Sequence, residues 1–203
     1  MAAIRMSAEH RRDQIIRVAA ELFARQGFKG MTTREIAEKA GITDALVFRY
    51  FDTKESLYSA IITLKTGESA NWDHQEIEGA IACKNDTRVF QAFALALLEL
   101  ATRDPGLMRL LLHSALEDHK LSNLFFQSQM TNLVKVLGDY IQTRIDDGAF
   151  HLEDSMTTAR GFIGMINHWL LMREIFKHEA YVKYTNEGLA KTFTDLFLNG
   201  VRK

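Results

Sequence analysis

Two short stretches hold the side chains best suited to contact a nucleic acid. Thr32, Thr33 and Arg34 open the segment MTTREIAEKAG, and Thr43, Asp44, Ala45, Phe48, Arg49, Tyr50 and Lys54 fall within TDALVFRYFDTK just after it. Hydroxyl, guanidinium and ammonium groups bind phosphate oxygens. An arginine can pair with the O6/N7 edge of guanine, a carboxylate can accept from cytosine N4, and an apolar side chain can meet a thymine methyl. Catalytic chemistry has thinner support. His113 and Glu117 stand four apart on one helix face with His119 near, but two ligands make a weak metal site, and such pairs are more often ion pairs or satisfied core histidines. No glycine-rich phosphate loop or nucleophile motif accompanies them, so no catalytic residue, metal or cofactor is assigned.

The elements that must position these groups are helices. Ile15, Val18, Ala19, Leu22 and Phe23 recur with helical spacing over residues 7–26, and Gly27 ends that run. Thr32 can cap a helix of little more than two turns, with Glu35 reaching back as a capping box and Gly41 as the stop. After Gly41-Ile42-Thr43, Thr43 can cap a second short helix over residues 44–51. Asp52 and Glu55 repeat the capping-box spacing before a longer helix carrying Leu57, Tyr58, Ile61 and Leu64. Two short helices joined by a glycine-containing turn form the helix-turn-helix pattern, whose second helix enters the major groove. Packing of Ile36, Ala37 and Ala40 with Ile42, Val47 and Phe51 would hold the pair and leave its other face free. A bare helical hairpin also occurs in bundles that never touch DNA.

The residues themselves go further. Gly27-Phe28, then TTREIAEKAGIT, then ALVFRYFDTKESLY, over roughly residues 10–60, resemble the N-terminal domain of the TetR (tetracycline repressor) family of transcriptional regulators. The resemblance implies an all-α homodimer with an N-terminal three-helix helix-turn-helix domain, residues 1–52. A larger antiparallel helical domain, residues 53–203, would bind a small effector and pair the subunits. It also implies phosphate contacts from Thr32, Arg34, Tyr50 and Lys54, and base-edge contacts from Thr43, Asp44, Ala45 and Arg49. Two positions depart from the family pattern. Asp44 stands where a basic or small residue is common; it either accepts from a cytosine or caps the helix, and the cap is preferred here. Phe48 stands where tyrosine is common, and it either packs or touches a thymine methyl.

Composition agrees with a helical reading. Apolar residues make up 47% of the 203, with a single proline and a single cysteine, Cys83, which excludes an internal disulfide. No apolar run reaches the roughly 20 residues needed to cross a bilayer, and the N-terminus has no signal-peptide core, so a cytoplasmic location is expected. Residues 1–65 hold 11 Lys/Arg against 8 Asp/Glu, and the remainder 14 against 18, which puts a mild basic excess in front.

Behind residue 66 the helices lengthen. Residues 67–79 are polar and read as a loop, a frayed helix end or a mobile stretch, followed by helices over 87–102, 107–117 (opened by Asp104-Pro105), 121–147, 154–178 (capped by Asp154) and 186–201. Helices apolar on more than one face need burial on several sides, and Leu189, Phe193, Leu196 and Phe197 have the spacing for a dimer seam. Phe90, Phe93, Phe125, Phe126, Met130, Met165 and Trp169 are candidate effector-pocket walls, with His113, Asn167 and His168 as polar anchors, although aromatic stripes at this spacing are core first. The expected partners are a palindromic double-stranded DNA operator, a small hydrophobic or aromatic effector and a second copy of the chain. Repressor and activator are not separable from sequence.

Overall fold

The computed structural model describes residues 7–69, 74–116, 131–151 and 153–202. Phe125, Phe126 and Met130, together with Glu117 and His119, lie outside them. The described residues form α1 Ala8–Gly30, α2 Thr33–Ala40, α3 Asp44–Tyr50, α4 Lys54–Ser69, α5 His74–Ala82, α6 Asp86–Arg103, α7 Pro105–Leu116, α8 Thr131–Asp146, α9 Ser155–Leu170, a π-helical turn Leu171–Ile175, α10 Glu179–Val182 and α11 Asn186–Val201. No strand occurs among them. One isolated antiparallel bridge joins Phe150 to Arg202, with the His151 N–H donating to the Val201 carbonyl at 3.1 Å.

The helices fall into two compact units, the first built from α1–α4 and α7, the second from α5, α6 and α8–α11. In the first, Ile15, Ile16, Ala19 and Phe23 of α1 pack with Ile36, Ala37 and Val47, all buried. Gly27 breaks α1 as expected. Its backbone (φ 75°, ψ 176°) is a conformation essentially reserved for glycine, and it turns the last residues so that Phe28 stacks beside Phe23, ring centres 5.6 Å apart. Tyr58 of α4 sets its ring edge-on to both and donates its hydroxyl to the Leu110 carbonyl of α7 at 3.2 Å. Thus α4 and α7 belong to the same body as the helix-turn-helix.

The N-terminus of α4 differs from the sequence expectation. Thr53 and Ser56, not Asp52 and Glu55, make the reciprocal cap. The Ser56 N–H donates to Thr53 Oγ1 at 3.0 Å and the Thr53 N–H to Ser56 Oγ at 3.3 Å. Both spacings satisfy the same pattern, and the hydroxyl pair one residue later is the one that closes.

In the second unit α11 packs on α6, α8 on α9, and α5 on α6. Phe90 is fully buried, surrounded by the rings of Tyr140, Phe150, Phe162 and Phe197 at 4.7–6.4 Å between centres. Two features were not foreseen. Part of residues 67–79 is helical, in α5, where Ile77 and Ala80 supply a short buried stripe. The expected helix over 154–178 instead gives way at Leu171 to the π turn, followed by the short α10. One extra residue per turn rotates Arg173 inward. Its guanidinium reaches Glu174 (2.8 Å), Asn186 (3.0 Å) and Thr102 (3.2 Å), so the buried charge is paired and hydrogen-bonded.

Candidate nucleic-acid interface

The bracing helix α2 is held at both ends. Thr32 Oγ1 accepts from the Glu35 N–H at 3.3 Å while the Glu35 carboxylate accepts from the Thr32 N–H at 2.8 Å. These bonds hold the Glu35 pKa below its ordinary value, the Thr32 backbone N–H contributing most. At the other end Gly41 takes the left-handed conformation, φ 66°, and its neighbour Ile42 donates to the Ala37 carbonyl. Lateral ties fix α2 against α1: Lys39 pairs with Glu21 at 2.5 Å, and Gln14 Nε2 donates to the Ala40 carbonyl at 3.2 Å. The Arg12 guanidinium lies over the Phe51 ring at 5.2 Å.

On this frame α3 has two faces. Val47 is buried, and Phe51 just beyond the helix is also buried. Ala45, Phe48 and Arg49 are exposed on the opposite side, with Asp44 half-buried at its edge. Phe48 keeps 46% of its surface in solvent, so the packing alternative for this ring is set aside. The preferred cap role of Asp44 is also corrected. Thr43 has the extended backbone of a cap and its hydroxyl accepts from the Leu46 N–H at 3.3 Å, whereas Asp44 is already the first helical residue. Asp44 Oδ1 is buried and has no hydrogen-bond partner among the described residues.

The phosphate candidates divide. Arg34 is strongly exposed and pairs with the exposed Glu38 at 3.4 Å, a pairing of little strength. Thr33 and Tyr50 are half-buried. The Thr32 hydroxyl already donates to Glu35 at 2.9 Å. Lys54 turns inward, its ammonium bonded to the Phe28 carbonyl and lying 4.5 Å from the Phe28 ring centre.

The described effector candidates differ in their surroundings. Phe90 and Phe93 are core, Met165 is half-buried, His168 is exposed, and His113 belongs to the first unit. Trp169 is different. Its ring meets Tyr181, Tyr184 and Phe193 at 4.6, 5.2 and 5.8 Å, while its buried Nε1–H has no acceptor among the described residues. Tyr181 and Tyr184 were missed by the sequence reading, because residues 179–185 have no apolar period and only the three-residue spacing of the two tyrosines marks them.

The expected dimer seam also needs correction. Leu189 and Phe193 are buried in their own unit, and the Phe197 ring lies tilted against Phe90 and edge-on to Phe162, with centres 4.7 and 5.1 Å apart. Ala190, Thr194, Leu198 and Val201 are buried too, so the inward stripe of α11 is centred away from Leu196, which stays 63% exposed.

Residues 15–61 match the family model of bacterial regulatory proteins, tetR family, and residues 88–199 match that of the AefR-like transcriptional repressor C-terminal domain. The chain belongs to the TetR family. It is a transcriptional regulator, with an N-terminal helix-turn-helix domain followed by a helical C-terminal domain. Among similar proteins, the HTH-type transcriptional regulator YvkB of Bacillus subtilis is 22% identical over 93% of this chain and 95% of its own. The HTH-type transcriptional repressor KstR2 of Rhodococcus jostii is 40% identical over 26% of each chain. The structure of the ketosteroid transcriptional regulator KstR2 of Mycobacterium tuberculosis superposes with a TM-score of 0.68, covering 100% of both chains at 18% identity, which shows a shared fold. No helix among the described residues is long and apolar enough to cross a membrane.

Proposed function

We propose that this TetR-family regulator is a repressor that binds a palindromic operator as a homodimer and releases it when a small apolar or aromatic effector binds the helical domain. The observation that carries the reading is the solvent-facing side of α3, where Ala45, Phe48 and Arg49 stand out from a helix whose other side packs on α2. Side chains so presented reach base edges, while Thr33, Arg34 and Tyr50 flank them for backbone contacts. Thr32 joins these by exchanging its hydroxyl bond to Glu35 for a phosphate, and Lys54 by turning its ammonium outward from the Phe28 carbonyl.

The aromatic group around Trp169 supports the effector class. Apolar rings with one donor lacking an acceptor suit a flat, apolar molecule carrying a carbonyl or hydroxyl oxygen. Leu196 supports pairing of subunits, together with the open face of α9, where a Cβ on Gly161 or Gly164 would meet nothing within 4 Å. Effector binding then shifts the population towards dimers whose reading heads no longer match two major grooves.

Arg49→Ala tests the assignment. Operator affinity is expected to fall by about 1–3 kcal/mol, with lost preference for guanine at one position of each half-site. Unchanged affinity and base preference would refute it.

A further inference from the structure

We propose that Phe48 is a specificity-determining residue that reads the 5-methyl group of a thymine in each operator half-site. The inference rests on the DNA-binding reading above and names one of the bases that reading leaves open. Three observations support it. First, Phe48 is an aromatic side chain with 46% of its surface exposed on a seven-residue helix, although the interior of the same unit accommodates Phe23, Phe51 and Tyr58. Burial in the monomer therefore does not account for its place. Second, Phe48 lies between Ala45 and Arg49 on the exposed side of α3, opposite buried Val47, so a helix laid in the groove with Arg49 towards base edges also brings the ring to them. Third, Phe48 has no hydrogen-bonding group in its side chain. Thymine's methyl is the one apolar feature that a base pair presents in the major groove, so it is the feature a phenyl ring can distinguish.

The neighbouring side chains sharpen the argument. Asp44 is one turn earlier on the same strip, and its buried Oδ1 lacks a partner among the described residues. A carboxylate there repels phosphate and can accept from a base edge, so the strip that carries the ring is chemically suited to bases rather than to the strand backbone.

The test uses the full-length protein. Duplexes are selected from a randomised library, and every thymine of the selected operator is then replaced singly by deoxyuridine, which removes the methyl and leaves all hydrogen-bonding groups in place. Binding is read by fluorescence anisotropy. One symmetry-related pair of positions is expected to weaken binding about threefold to fivefold per methyl removed. In Phe48→Ala, thymine and deoxyuridine at that pair should bind equally, whereas Phe48→Leu should retain part of the difference. Because the ring is exposed, both variants should melt like the wild type. Selection of an operator with no methyl-sensitive thymine would overturn this inference alone. So would a methyl effect that survives in Phe48→Ala. Failure to select any duplex would overturn the DNA-binding reading and this inference with it.

Discussion

Glu35 has two tasks that pull on one carboxylate: it closes the cap of α2, and it lies beside Thr32, where the helix would meet a phosphate. Because the Thr32 bonds favour its charged form, folded Glu35 takes up a proton less readily than it does in the unfolded chain. Its contribution to stability is therefore complete above the ordinary value of 4.5 and is lost as pH falls through the lower folded value. Asp154, held by the Thr157 N–H at the start of α9, and Asp147, held by Lys84, act in the same direction. Stability should thus be flat near neutrality and fall on the acid side, and Glu35→Gln should flatten that acid limb, as followed by thermal melts from pH 3 to pH 7. A rise in stability on acidification would contradict the assignment. Asp44→Asn belongs to the same scale. With Thr43 as the cap, this change should not lower the melting temperature and should weaken the preference for cytosine at one base pair, measured by competition with single-base operator variants.

Single residues decide where the short helices start and stop. Gly41, with φ 66°, occupies a conformation that alanine enters at a cost of about 1–2 kcal/mol, so Gly41→Ala should destabilise the protein by that amount. Gly41→Asn should recover part of it, because asparagine tolerates the left-handed region. Gly27, at φ 75° and ψ 176°, lies where no other residue is comfortable, and asparagine should give no comparable rescue there. Urea unfolding of the four variants checks the contrast. Helices with strong local signals were legible in the sequence for this reason: the capping box of α2, the Gly41 stop and the Thr43 cap depend on neighbours within a few residues. What was not legible depends on distant partners. The π turn at Leu171–Ile175 exists in company with Arg173's bonds to Thr102 and Asn186, and nothing near Arg173 in the chain announces Thr102. Likewise the seam residues of α11 have a period that fits either a partner subunit or an internal core. The half-buried Phe197 meets Phe90 and Phe162 within its own unit, a contact that the period alone does not announce.

At the scale of the whole molecule, the second unit is organised around Phe90 and a buried carboxylate. Asp86 accepts from the Tyr140 hydroxyl at 2.6 Å and from Arg144 Nε at 2.8 Å, which joins the start of α6 to α8. Removing the ring in Phe90→Ala should cost about 3–5 kcal/mol, seen as a large drop in denaturant midpoint. Leu196 lies outside this core, so Leu196→Asp should leave the fold intact but shift sedimentation from dimer towards monomer. Operator affinity should fall with it, because two reading heads tied together bind far more tightly than one. The central claim is that the exposed face of α3 selects a DNA sequence. It is tested most directly by anisotropy titrations of the full-length protein against duplexes from upstream of its own coding region and a scrambled duplex, across a salt series. The account predicts tight binding to one fragment, loss of affinity with rising salt, and competition by the palindrome alone. Equally weak binding to every duplex, scrambled included, would contradict it.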